Sequence, residues 1–329
     1  MGLGPGDSHG VGSGFCCYSV MKAIEIYHYG GPEELRYEEA AVPPINPDDV
    51  LVRVFASGVN PVDWKIRQGG HKTDHDPTLP RILGWDFSGV VEKVGSEVTA
   101  WKAGDEVYGR PDLTRNGTYA EYVAVRADEI ARKPGSISHK EAAGVALAAL
   151  TSWQGLFAHG ELKAGQRVLI HGASGGVGTF AVQFAKWRGA YVIGTASGKN
   201  AGFVQKLGAD EVIDYEKEDF SERVRGMDVV FDTQGGKVQQ LSLKVLKPGG
   251  ILVGTVGIQD EKAFREAGVR TVAYMAQSRT KDLEEIAGLI DSGMVFPVIS
   301  RVFALKDAAE AHRIGELGHV RGKMVLVVE

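Results

Sequence analysis

The sequence predicts an α/β protein of two bodies: a β-rich domain and a doubly wound parallel-sheet domain inserted between its two parts. Two observations carry this. From Lys22 to about Glu129 short β-rich runs follow one another with turns between them, the spacing of a compact β-rich unit. Further on, "RVLIH", "YVIGT", "EVID", "DVVFDT" and "ILVGTV" are short, apolar and β-branched, and each of the first four precedes helix-competent sequence. That alternation marks a parallel sheet covered by helices.

Taken in order, residues 1–20 are glycine-rich and without helix or strand period. They lack the positive start and long apolar middle of a signal peptide and are expected to be a flexible extension, with the fold starting at Met21. "KAIEIY", "DVLVRVFASGV", "GVVEKVG", "DEVYG" and "YAEYVAV" are the expected strands of the first body. "SISHKEAAGVALAALTSWQGLF" is an apolar helical stretch, after which the strand and helix alternation begins. From about Tyr274 a helix, "KDLEEIAGLIDSG", leads to "VFPVISRVFAL", a helix "KDAAEAHRIGEL" and a last strand "KMVLVVE". This tail is too small for a core of its own and is expected to return to the first body. The expected division is therefore 21–143 with 279–329, and 144–278.

Composition narrows the function classes. The 329 residues carry mixed charge with a net of -5, unlike the basic footprint of a nucleic-acid binder or a polybasic membrane patch. No apolar run approaches the roughly 20 residues that span a bilayer. The only cysteines are Cys16 and Cys17, so the main body has neither a disulfide framework nor a thiolate metal site, and a reducing cytoplasm suits it.

The chemistry-bearing motif is "RVLIHGASGGVGTFAVQFAKWRGAYVIGTAS", a glycine-rich turn between a strand and a helix. Ala173, Gly175 and Gly178 fill the G-x-G-x-x-G spacing with alanine in first place, and Gly172 is positioned to supply the tight turn instead. Ala173, Ser174, Gly175, Gly176, Val177 and Gly178 are the candidate cradle for a dinucleotide pyrophosphate. Backbone without Cβ approaches the phosphates closely, and the helix N-terminus offers unpaired N–H groups and partial positive charge.

About 20 residues on, where an acid would bind the adenosine ribose 2'-hydroxyl, the chain has Thr195, Ala196 and Ser197 and then Lys199. An acid there repels a 2'-phosphate, whereas hydroxyls and a lysine accept it. Ser197, Lys199, Asn200 and, from the next strand end, Tyr215 are the candidate 2'-phosphate residues, and NADPH is the expected cofactor. Lys199 reads otherwise as a solvated loop lysine and Tyr215 as a packing tyrosine.

Together "ASGVNPVDWKIRQG", "LGWDFSGVVEKVGSEVTAWKAGDEVYG", "GTYAEYVAV", "HGASGGVG" and "RGKMVLVV" resemble the medium-chain dehydrogenase/reductases of the quinone oxidoreductase branch, from about Met21 to Glu329. The resemblance implies a GroES-like catalytic domain, a Rossmann NADP-binding domain, and hydride transfer in the cleft between them to a quinone or α,β-unsaturated carbonyl. It implies Asn60 and Asp63 facing that cleft, Thr151 near the nicotinamide, Gly254 and Val256 supporting the ring, and a homodimer paired through an edge strand. Asn60 reads equally as a turn residue before Pro61, and Asp63 as a helix cap.

Zinc alcohol dehydrogenases of the superfamily have a Cys where this chain has Asn60, and a His-Glu pair where it has Trp85 and Asp86; no cysteine is present for their structural zinc lobe either. The expectation is a protein without metal, with a solvated loop favoured over any pairing of His71 and His75. Lacking a Lewis acid, it favours acceptors that delocalise the incoming charge themselves. An enone product needs a proton, and His71 stands where related enoyl thioester reductases have a tyrosine, although an exposed loop histidine is the favoured reading. A hydroquinone anion takes its proton from water. The alternatives are an enoyl thioester reductase and a non-enzymatic NADPH-binding protein of the crystallin or sensor kind.

Overall fold

A computed structural model of the chain describes residues 20–70 and 78–328. The first body opens with β1 (Val20–Ile26), β2 (Arg36–Ala41), β3 (Asp49–Val59) and α1 (Pro61–Arg67). There follow β4 (Arg81–Ile82), β5 (Phe87–Val94), β6 (Glu106–Gly109), β7 (Tyr122–Arg126) and β8 (Ile130–Arg132). β1 pairs antiparallel with β2 and β4, and β3 pairs antiparallel with β5 and β7. Alternation places residues of β3 on opposite faces: Val50, Val52 and Val54 pack with Phe87, Val107 and Val125, while Leu51 joins Ile24, Trp85 and Tyr119. The sequence reading does not anticipate β2, because "RYEEAA" carries charges, lies mostly exposed and shows no apolar alternation.

The helical stretch expected across 136–157 is divided. It forms α2 (His139–Ala142) and α3 (Ala146–Trp153), then a π-helical turn, Gln154–His159. Gly144 lies in the break, where a Cβ would come within 2.6 Å of Ile299 Cδ1. In the π turn, a Cβ on Gly155 would meet Phe231 and the Tyr274 hydroxyl, each at 2.4 Å. Packing against distant residues thus bends a segment that local propensity reads as one helix.

The second body alternates as predicted: β9 (Arg167–Ile170), α4 (Gly176–Trp187), β10 (Tyr191–Ala196), α5 (Ala201–Lys206), β11 (Glu211–Asp214), α6 (Phe220–Arg223) and β12 (Met227–Asp232). It continues through α7 (Gly236–Ser242), β13 (Leu246–Gly254), α8 (Glu261–Glu266) and β14 (Arg270–Ala273). Among the described residues these strands make one parallel sheet in the order β11-β10-β9-β12-β13-β14. That is the doubly wound order, whose reversal point opens a crevice at the strand carboxyl ends, between β9 and β12. Val168, Ile170, Val229 and Phe231 pack on one face, Leu169 and Val230 on the other. Both faces are buried, which is why these strands read as unbroken apolar runs.

The tail adds α9 (Thr280–Asp291), β15 (Ile299–Ala304), α10 (Ala308–Glu316) and β16 (Lys323–Val327). β16 pairs antiparallel with β3 and parallel with β15. The turn before β16 also touches the glycine loop: Gly322 bridges Gly175, and its N–H donates to the Ser174 carbonyl at 2.9 Å. Among the described residues no helix is long and apolar enough to cross a membrane.

Candidate active site

The glycine turn is built by close backbone packing. Gly172 takes the left-handed conformation with φ +67°, available to glycine at no steric cost. Ala173 donates its N–H to the Thr195 carbonyl at 3.0 Å, tying the turn to the end of β10. A Cβ on Gly178 would lie 2.1 Å from the Gly172 carbonyl oxygen, so this glycine is what lets α4 start directly under the strand. Gly175 precedes the helix in extended conformation with no side-chain cap, and the first N–H groups of α4, from Gly176, Val177 and Gly178, have no acceptor within the helix.

Beside this helix terminus lies a cleft of about 720 Å³, lined among others by Ser174, Gly175, Ser197, Lys199, Asn200 and Tyr215. Asn200 donates to Ser197 Oγ at 3.1 Å and to Ser174 Oγ at 3.4 Å, and Arg321 holds its Oδ1 from 2.8 and 3.0 Å. Lys199 is exposed and, among the described residues, has no hydrogen bond or ion pair. Tyr215 is also exposed. An acid does stand close, on the neighbouring strand: Asp214 ends β11 opposite Ala196, and a Cβ on Gly198 would sit 2.4 Å from its Oδ2. Its carboxylate accepts the Glu216 N–H at 3.2 Å and pairs with Lys217 at 3.5 Å, so it serves its own turn. Deeper in, His171 bridges Thr195 Oγ1 and Ser242 Oγ. Burial lowers its pKa to about 4 and keeps it neutral.

A glycine turn in which a Cβ at Gly178 would strike backbone, an uncapped helix terminus and an adjoining cleft bordered by an exposed lysine together fit a dinucleotide carrying phosphates. The described side chains at the expected zinc-ligand positions are engaged otherwise. At the position of the zinc ligands, Asn60 and Asp86 converge instead on the ammonium of Lys323. Its Nζ donates to the Val59 carbonyl at 3.0 Å and to Asn60 Oδ1, and lies 3.2 Å from Asp86 Oδ2. Asp86 further accepts from Asn60 Nδ2 at 3.2 Å and from the Leu147 N–H at 3.0 Å, at the start of α3. Trp85 is fully buried. Among the described residues no group of three or more His, Cys, Asp or Glu is arranged around a metal position.

Asn60 and Asp63 are both buried, at 2% and 0% exposure. Asp63 Oδ2 accepts the Asn60 N–H at 2.7 Å, in the manner of a helix cap, and also the Tyr119 hydroxyl at 2.7 Å. Tyr119 contacts His312 Nε2, while His312 Nδ1 faces Arg67 Nη1 at 2.9 Å and Arg67 pairs with Glu316. Arginine only donates, so Nδ1 is the acceptor and Nε2 carries the ring proton. The chain of donors then runs one way, from Arg67 through His312 and Tyr119 to Asp63. Burial, opposed by the Tyr119 and Asn60 hydrogen bonds, raises the Asp63 pKa to about 7.

Thr151 donates to the Leu147 carbonyl at 2.7 Å, and its own carbonyl accepts the Tyr274 hydroxyl. Tyr274 in turn donates its N–H to the Gly254 carbonyl at 3.2 Å. Thr151 and Gly254 therefore share one wall at the ends of α3 and β13, with Val256 two residues beyond. His71 and His75 lie outside the described residues.

Sequence reasoning passed over Lys323, Tyr119, His312, Arg67 and Arg321. The lysine stood in the motif "RGKMVLVV" and the tyrosine in "GTYAEYVAV", but nothing in the sequence pairs them with residues near Asn60.

Comparison with known proteins agrees with this architecture. Residues 46–135 match the model described as alcohol dehydrogenase GroES-like domain, and residues 207–326 match that described as zinc-binding dehydrogenase. The chain is 34% identical over 359 residues to NAD(P)H oxidoreductase RTN4IP1, mitochondrial, of Mus musculus, covering 94% of this chain and 90% of that protein. It is 37% identical over 317 residues to the chloroplastic NADPH-dependent alkenal/one oxidoreductase of Arabidopsis thaliana, with 93% and 79% covered. The solved quinone oxidoreductase of Coxiella burnetii superposes with a TM-score of 0.89 at 35% identity, over 94% of this chain and all of that one. The chain belongs to the medium-chain dehydrogenase/reductase superfamily, in its quinone oxidoreductase-like branch.

Proposed function

We propose that this chain is an oxidoreductase that uses NADPH to reduce quinones or α,β-unsaturated carbonyls without a metal. The observation that carries the reading is the Lys323 ammonium held between Asn60 and Asp86, where a metal-dependent relative would need ligands. With no Lewis acid to polarise an isolated ketone, the acceptor itself must spread the charge. The names of the Arabidopsis and Coxiella relatives, an alkenal/one oxidoreductase and a quinone oxidoreductase, support this acceptor class.

The loop from Gly172 to Gly178 would hold the pyrophosphate, and Ser197, Lys199, Asn200 and Tyr215 the 2'-phosphate. Thr151, Gly254 and Val256 would border the nicotinamide. When bound, the reduced cofactor supplies a hydride. On an enone, the alkene pair moves to give an enolate as the β-carbon gains hydride, and a proton from water completes the α-carbon. Asn60 and Asp63, both buried in networks, would hold the wall of this cleft. Two copies would pair through β14, the end strand of the parallel sheet, which sedimentation of the purified protein tests.

The test is oxidation of NADPH and of NADH by chelator-treated protein against a panel of quinones and enones. Turnover that prefers NADPH and survives the chelator is expected. Tight NADPH binding without turnover would favour a sensor or structural role, and a requirement for added zinc would overturn the reading.

A further inference from the structure

Among the described residues, Arg110 is a buried guanidinium that forms no ion pair with a carboxylate. It is 6% exposed. Its Nη1 donates to Ser278 Oγ at 3.3 Å, the Ser278 hydroxyl donates back to the Arg110 carbonyl, and its Nε is buried with no acceptor. Three carboxylates lie within electrostatic reach, Asp112, Asp86 and Glu129. Each has a closer partner: Asp86 has Lys323, Glu129 has Arg126 at 2.6 Å, and Asp112 has the Thr114 hydroxyl at 2.6 Å and Arg126 at 3.7 Å. Arginine does not shed its proton, and a buried charge whose counter-charges all have closer partners is costly unless something meets it directly.

Its place in the fold says what does. β6 ends with Gly109 opposite Phe87, so Arg110 comes next in register to Asp86, beside the Lys323 cluster. Ser278 belongs to the segment that follows β14. In that segment Gln277 and Gln154 exchange hydrogen bonds at 2.9 Å, and Tyr274 reaches the Thr151 carbonyl. Arg110 therefore bridges the β-rich body to the wall that carries Thr151 and Gly254, on the seam where the acceptor would lie.

We infer that Arg110 receives the acceptor's oxygen and donates hydrogen bonds to the oxyanion that hydride addition creates there. This rests on the reductase reading given above. As the enone or quinone gains hydride at carbon, the π pair passes to oxygen, a quinone adduct then losing its ring C–H proton to water to become the hydroquinone anion, and the guanidinium meets that charge with fixed N–H donors in a water-poor site. Water then returns the proton. The fitting substrate is a planar conjugated carbonyl whose oxygen becomes an enolate or hydroquinone anion.

The experiment titrates 4-nitrophenolate, a stable planar oxyanion, into NADP⁺-loaded full-length protein and reads its absorbance shift. Wild type is compared with Arg110→Met, which keeps the stem, and Arg110→Lys, which keeps the charge without the fork. The expected result is phenolate affinity at least about tenfold weaker in Arg110→Met and partly restored in Arg110→Lys. NADP⁺ affinity should be unchanged in both, which also shows that the variants fold, and neutral 4-nitroanisole should not discriminate. With an enone, kcat should fall more than KM rises. Equal phenolate affinity in wild type and Arg110→Met, or no phenolate binding by wild type, overturns the inference. Phenolate discrimination without turnover of any acceptor overturns the reductase reading and leaves the oxyanion site standing. Unchanged enone kcat in Arg110→Met does the reverse.

Discussion

The ammonium of Lys323 lies 3.2 Å from the carboxylate of Asp86, and both are almost wholly buried, at 4% and 0% side-chain exposure. Removing one partner of such a pair costs about 3–5 kcal/mol, because the other charge is left without compensation. Lys323→Met should therefore lower the urea midpoint sharply, and adding Asp86→Asn should recover a large part of the loss. Additive losses in the double variant would mean that the two groups do not act as a pair.

Gly178 and Gly202 make a controlled contrast. A Cβ at Gly178 would fall 2.1 Å from the Gly172 oxygen and 2.7 Å from the Ala173 Cα, both backbone atoms, whereas at Gly202 nothing lies within 4 Å. Gly178→Ala must open the turn, so a loss of about 1–3 kcal/mol and NADPH binding weakened beyond tenfold are expected. Gly202→Ala, on α5, should be neutral or stabilise by about 0.4–1 kcal/mol. Calorimetric binding together with thermal melting of both variants decides it.

These two cases also mark how far the sequence can be read. The glycine turn was legible because its parts are local: strand, turn and helix follow within a few residues, and the register of Gly178 sets the packing directly. The helix cap by Asp63 was legible as one of two readings for the same reason. The partners of Asp63 and Asn60 were not, since Tyr119 meets His312 across 193 residues and Lys323 meets Asn60 across 263. Asp214 shows a third limit. The sequence places no acid after β10, and the reading that brings in Tyr215 from the next strand end passes over Asp214 beside it, which sheet pairing sets opposite Ala196.

Lys199 is exposed and, among the described residues, makes no hydrogen bond or ion pair. Lys199→Ala should leave the melting temperature almost unchanged, since such surface changes stay within about 0.5 kcal/mol. A charge-assisted phosphate contact contributes about 1.5–3 kcal/mol, so NADPH affinity should fall about ten- to a hundredfold while NADH affinity holds. Fluorescence titration with each cofactor tests this; equal losses for both would take Lys199 out of the phosphate site.

Asp63 should make stability depend on pH with an unusual sign. Its pKa rises from 3.8 to about 7 in the folded protein because burial disfavours the carboxylate. The folded state then binds the proton more tightly than the unfolded chain does. The contribution is fully present below pH 3.8 and is lost as pH rises through about 7, with a slope of up to about 1.4 kcal/mol per pH unit. His312, whose pKa burial and the nearby Arg67 lower to about 3, acts in the opposite sense by costing stability on acidification. The comparison must therefore be with Asp63→Asn, which keeps the His312 contribution and an acceptor for Tyr119 and the Asn60 N–H. Urea midpoints measured from pH 4.5 to 8 should show wild type losing stability relative to Asp63→Asn across that window. Parallel curves would mean that Asp63 is ionised throughout and that its network, through Tyr119, already compensates the buried charge.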